Sequence, residues 1–232
     1  MTHRTSPITK DCCSELTVRP IRTEETREWF LYKHYAHRLP NTVYAFGLYE
    51  GARLVGVCSF GIPASPSLIM GSMGEAYKDT FLELNRLCIE EGAPPNALSF
   101  FVSRCLKLLP SPTIVVSYAD SAMGHHGYIY QATNFIYTGL TKPHKEYSLG
   151  PSNKHSRHLL DSYGGINEAK RKGIPLEEGQ RSLKHRYFFF VGSKKQRAKM
   201  LADLKYPVLP YPKGDNNRYD ASYITHDQGI LF

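Results

Sequence analysis

Nowhere does this chain come near the ~20 consecutive apolar residues that a membrane span requires. Its opening segment, MTHRTSPITKDCC, has no apolar stretch of the secretory kind, so the cytoplasm is the expected compartment. Cysteine is sparse and unpaired in pattern: Cys12, Cys13, Cys58, Cys88 and Cys105 are five in number and contain no CxxC pair. That argues against a disulfide framework and a zinc knuckle alike. Cys58, Cys88 and Cys105 fall in apolar segments, where thiols pack as small hydrophobes. No internal repeat is visible. What remains is an ordinary soluble composition, 41% hydrophobic and 22% charged over 232 residues, enough for one sizeable core.

Charge is the first departure from the ordinary. Residues 142–213 hold 16 Lys and Arg against 6 Asp and Glu, while the rest of the chain holds 13 against 15. The whole net charge of +8 therefore comes from this segment, and a polyanion such as nucleic acid is the expected partner. Lys184, Arg186, Lys194, Lys195, Arg197, Lys199 and Lys213 are the candidate contacts, interleaved with Tyr187, Tyr206 and Tyr211.

Periodicity predicts a mixed α/β order. Strands are expected at Leu16–Ile21, Tyr44–Tyr49, Arg53–Phe60, Thr80–Ile89, Thr113–Tyr118, Phe135–Tyr137 and Tyr187–Gly192. Helices are expected from Thr23 through Lys33, over Ala97–Leu109 with Asn96 as cap, and over His126–Thr133. Gly61–Gly74 reads as a loop. Residues 1–15 read as an extended or disordered tail ahead of a single domain, 16–232. That domain contains a basic insertion at 142–185, partly helical at Asn167–Lys172, and an extended proline-bearing tail from 201. Such an order fits a sheet with an antiparallel first half and a crossover-helix second half.

The most informative stretch is Val115–Gly139, VVSYADSAMGHHGYIYQATNFIYTG. A β-branched run ends in Ser117, Tyr118 and Asp120, and His125 and His126 follow, so polar groups gather where a strand stops. Asp120 suits a general base and Ser117 an oxyanion donor, although a helix cap and a strand-closing serine fit equally well. Arg86 lies inside the apolar strand ELNRLCI, where a guanidinium needs a partner or a ligand; Asn85 should point to the opposite face. His34 and Tyr35 close the first helix and could wall a pocket or, with Asp120 and His126, hold a redox metal. Asn96 and Ser99 open the next helix, whose first amides are an anion site.

The blocks ELNRLCI, NALSFFVSRCLKLLP, VVSYAD…GHHGYIYQATNFIYTG and KHRYFFFVGSKK…YPVLPYPKGDNNRYD resemble the phage Mom DNA-modification proteins, from about Val18 to Asp220. The resemblance implies a GNAT-like acyltransferase fold, a mixed central sheet flanked by helices. It implies conversion of adenine N6 in double-stranded DNA to N6-carbamoylmethyladenine, which protects phage DNA from restriction. For a phage-encoded chain it implies the cytoplasm of the host cell. By position, Arg86, Ser117, Asp120 and the His34–Tyr35 pair match the family's functional residues, and iron held near His34, Tyr35 and Asp120 is carried over with them.

The chain departs from the broader GNAT pattern where Q/R-x-x-G-x-G/A would cradle a CoA pyrophosphate: it reads EEGAPPNALS. A carbamoylmethyl amine is a constitutional isomer of a glycyl amide, so an activated glycine such as glycyl-tRNA supplies every atom, and tRNA joins DNA as an expected partner. An acyl-CoA is the other donor. The alternative to DNA modification is a GNAT-type N-acyltransferase on a small-molecule or protein amine. Reaching N6 requires the base to leave the stack, with Tyr35, Tyr118, Tyr130 and Tyr137 as stacking candidates.

Overall fold

Seven strands build the central sheet of this computed structural model, which describes residue 13, residues 15–148 and residues 162–214. The order across the sheet is β1 (Leu16–Pro20), β2 (Tyr44–Glu50), β3 (Arg53–Gly61), β4 (Phe81–Ile89), β5 (Thr113–Asp120), β9 (Lys184–Val191) and β6 (Ile136–Leu140). Neighbours are antiparallel except β4 and β5, which α2 (Ala97–Leu108) connects as a crossover. The mixed α/β class expected from sequence is the observed one. Strand β9, last in sequence among the described strands, enters between β5 and β6.

Both sheet faces are covered. On one, Phe101, Val102, Cys105 and Leu106 of α2 pack on Phe46, Cys58, Phe60, Leu84 and Val115. On the other, Leu68 and Ile69 of α1 (Pro66–Ser72) and Met200 of the helix Lys194–Asp203 pack on Phe81, Ile114, Val116, Phe188 and Phe190. Helix α1 falls within the expected Gly61–Gly74 loop. Pro66 at its first turn is compatible with a helix start, and burial of Leu68, Ile69 and Met73 supplies what propensity lacks. The first expected helix is instead a 3₁₀ turn, Thr23–Thr26, followed by a π turn, Trp29–Lys33, with Arg22 rather than Thr23 at the cap. Trp29 and Phe30 must both reach Val57 from adjacent positions, and the wider π turn ends at His34.

Helix α3 (Tyr128–Ala132) begins at Gly127, whose φ is +76° and whose added Cβ would lie 2.5 Å from Tyr187. Gly127→Ala is therefore expected to destabilise the fold by about 1–3 kcal/mol, seen as a lower melting temperature.

The basic insertion carries the antiparallel pair β7 (Lys145–Ser148) and β8 (Glu177–Gln180) and, between them in sequence, the helix Ile166–Arg171, close to the expected one; residues 149–161 lie outside the described ones. The expected tails are described only in part, and the C-terminal one starts after Asp203 rather than at 201, because Met200 anchors a further helical turn. It is extended and clamps the edge strand β6. Leu209 N–H donates to Tyr137 O at 2.9 Å, and Tyr211 Oη donates to Phe135 O at 2.6 Å. The clamp takes up groups a free sheet edge would expose.

Candidate active site

Parallel pairing of β4 with β5 lasts only from Phe81–Ile114 to Glu83–Val116. Beyond it β4 runs on to Ile89 against β3 alone, and β5 runs on to Asp120 against β9. The two strands part toward their carboxyl ends, and the polar residues collect around that opening.

Ladder register decides which side chains face together. Arg86 pairs with Ser59, Glu83 with Gly61 and Val116, and Asp120 with Lys184. This puts Arg86, Glu83 and Asp120 on the sheet face that carries Phe81, Ile114 and Val116. Ser117, three residues before Asp120, faces the opposite core. It is fully buried and its Oγ donates to Leu84 O at 3.0 Å, tying β5 to β4 where they separate. Its observed contacts are those of the strand-closing serine.

Asp120 is held on two sides. Its Oδ1 accepts the Ala122 N–H at 3.1 Å, capping a short 3₁₀ turn, and its Oδ2 meets Lys184 Nζ at 3.0 Å. Burial pushes its pKa up, but Lys184 with hydrogen bonds from Ser182, Lys184 and Ala122 holds it below the ordinary carboxylate range. The carboxylate therefore contributes stability above its unfolded pKa, and that contribution is lost as pH falls through the depressed folded value. Lys184→Met removes the main opposing charge and leaves burial, so the Asp120 pKa is expected to rise. A carboxylate NMR titration checks this; an unmoved midpoint would mean that Lys184 does not set it.

His34 and Tyr35 leave the π turn as a stacked pair, ring centroids 4.4 Å apart, and Tyr35 meets His125 edge-on at 6.4 Å. His125 in turn donates its backbone N–H to Asp120 O at 3.1 Å. His34 is buried; burial first, then the nearby Arg86 charge and His37, drive its pKa to about 3. Its Nδ1 accepts the Ala36 N–H at 3.1 Å, which places the single ring proton on Nε2. These commitments do not fit the iron set expected from resemblance. His34 offers a protonated Nε2, Asp120 is bound to Lys184, and among the described residues no three His, Cys, Asp or Glu side chains gather as metal ligands.

Two residues join this neighbourhood that sequence reasoning did not place there. Glu83 acts electrostatically on both Tyr118 and Tyr130, which burial already pushes well above the usual tyrosine range. Asn85 does not face away from Arg86: a bulge makes the two residues together oppose Ser59.

Asn96 stands at the expected cap of α2 but in the left-handed region, φ +66°, and its side chain caps nothing. Asn96 and Ser99 instead line a hollow of about 270 Å³ with Cys13, Phe100, Ser103, Thr133 and Asn134.

The expected nucleic-acid residues divide. Lys184 is paired with Asp120, and Arg186 donates to Thr138 while lying 3.8 Å over the Tyr206 ring. Tyr118 is largely buried beside them, and Tyr187 is fully buried. Lys194, Lys195 and Arg197 are exposed but lie past the far end of β9, whose 8 residues span about 23 Å. Lys199 pairs with Asp203 at 2.8 Å, Tyr211 belongs to the tail clamp, and Lys213 is exposed near its end. By contrast, the insertion leaves β6 at Leu140 and rejoins the sheet at Lys184, beside Asp120.

The sequence profile described as the Mom protein family matches residues 15–213. The methylcarbamoylase Mom of Escherichia phage Mu is 29% identical over 208 residues, 86% of this chain and 84% of its own. Among solved structures, the putative acetyltransferase yncA from Salmonella typhimurium, determined with acetyl-CoA, aligns over 79% of this chain and 98% of its own at TM-score 0.46 and 10% identity. NAA60 of Arabidopsis thaliana with acetyl-CoA aligns over 76% and 99%, at TM-score 0.47 and 11% identity.

Proposed function

The chain belongs to the Mom protein family, and from that premise we propose that it converts adenine N6 in double-stranded DNA to N6-carbamoylmethyladenine, shielding phage DNA from restriction. The observation that carries the reading is the parting of β4 from β5, with Arg86, Asp120 and the His34–Tyr35 stack around the opening. A base swung out of the duplex enters there and stacks on Tyr35, which is 40% exposed.

The N6 amine is a poor acid, so its proton leaves after the bond from N6 to the donor's carbon has begun to form. Asp120, ionised across the physiological range, accepts that proton. Arg86 grips the donor's carbonyl or phosphate oxygen, and neutral His34 offers the Nε2 proton to the developing negative charge. Ser117 acts by holding β4 and β5 in place. The donor is an activated glycyl unit, which holds all the atoms to be added. N6 attacks its carbonyl carbon, the bond from that carbon to the carrier breaks, and the carrier leaves with the proton. The N6-glycyl amide then rearranges to its carbamoylmethyl isomer. Supplying glycyl-tRNA and an acyl-CoA separately to purified protein and DNA identifies its carrier.

The test is nucleoside mass spectrometry on plasmid DNA from cells expressing the protein. The expected product is a deoxyadenosine heavier by one glycyl-sized unit. DNA that stays unmodified in the presence of phage and host factors would overturn the assignment and favour an acyltransferase acting on another amine.

A further inference from the structure

We infer that Asn85 is the positioning residue that aims Arg86, through a clasp built on the β4 bulge; this rests on the reading of the cleft as an adenine-modifying site. Asn85 is the extra residue where Ser59 pairs with Arg86 while the adjacent Phe60 pairs with Leu84. A bulge releases a peptide from the ladder. Here the Asn85 carbonyl accepts a hydrogen bond from Arg86 Nη1 at 2.6 Å. That bond sets the guanidinium of the residue that follows.

The side chain of Asn85 fixes the same peptide from the other direction. Its Oδ1 accepts from Ser59 Oγ on β3 at 2.7 Å, and its Nδ2 donates to Asn41 O at 2.7 Å. Asn41 lies in the loop that follows His34 and Tyr35. One side chain thus joins strand β3, the arginine strand and the loop carrying the aromatic stack. The fit leaves no room to spare: a Cβ at Gly61 would lie 1.9 Å from Asn41 O and 2.8 Å from Asn85 Nδ2. The bulge also decides where Arg86 points: with Leu84 opposite Phe60 and no bulge, Arg86 would oppose Cys58 and face the apolar core instead of pairing with Ser59. What the extra residue adds is a carbonyl for the guanidinium and an anchor for the loop.

The test reads plasmid adenine modification by nucleoside mass spectrometry for Asn85→Ala, Ser59→Ala, Arg86→Ala and the doubles with Arg86→Ala. Asn85→Ala is expected to lower modification about tenfold or more and Ser59→Ala about two- to fivefold. Neither should lower it further when Arg86 is already alanine, because a residue that works through Arg86 has nothing left to aim. A multiplicative loss in the Arg86→Ala background, or full activity in Asn85→Ala, overturns the inference while leaving the proposed reaction standing. If Asn85→Ala fails to fold, as judged by its melting curve, the Ser59→Ala pair decides in the same way. A wild-type protein that modifies no adenine removes the reading of the cleft and this inference with it.

Discussion

Asp120→Asn is expected to cut adenine modification by about 10²-fold or more, the usual contribution of a placed proton acceptor, in a protein that still folds. The amide keeps the size of the carboxylate, and its Oδ1 still accepts from Ala122 N–H. It loses the charge that answers Lys184, but Lys184 is 28% exposed and water takes up part of that loss. Nucleoside mass spectrometry beside a melting curve separates chemistry from folding. Modification that persists at the wild-type level would take Asp120 out of the reaction and leave it the turn cap and ion-pair partner that it also is.

Arg86→Ala should lower modification roughly 10- to 100-fold, the range that 1.5–3 kcal/mol of charge-assisted hydrogen bonding spans. Arg86→Lys should recover only part of it. A lysine keeps the charge but has one nitrogen, which cannot meet the Asn85 carbonyl and a donor oxygen with a planar fork. The two variants also separate two electrostatic effects at His34. Alanine removes a charge that lowers the His34 pKa, whereas lysine retains one, so the imidazole should titrate higher in Arg86→Ala alone. Full recovery of activity in Arg86→Lys would reduce the role of Arg86 to charge.

Much of the sheet was legible in the sequence because its strands are apolar and bounded by turns. Phe81–Ile89 and Thr113–Asp120 appear within one or two residues of their expected limits. Helix α1 was not legible, since a seven-residue segment with Pro66 and two glycines in or beside it has no helical periodicity strong enough to read. Residues around the cleft were legible by type, while their facing was not. Ser117 and Asp120 sit three apart, and in a strand that spacing puts them on opposite faces. Asn85 and Arg86 sit one apart yet share a face, because a bulge has no dependable sequence mark. The basic segment was read as one surface, and the antiparallel run of β9 separates its exposed lysines from the lysine that serves Asp120.

The placement of β9 also bears on when the protein becomes active during synthesis. Strands β5 and β6 are not neighbours; each pairs with β9, which the ribosome delivers after both. Until residues 184–191 thread between them, the sheet ends at β5, β6 has no strand to pair with, and Asp120 lacks its Lys184 partner. A nascent chain, or one cut short before that strand, holds every other group of the cleft without the arrangement that makes them act together. Closure waits on a long-range pairing, the slowest kind of contact to form. Finishing the sheet and arming the site are then a single event, late in the life of the nascent chain.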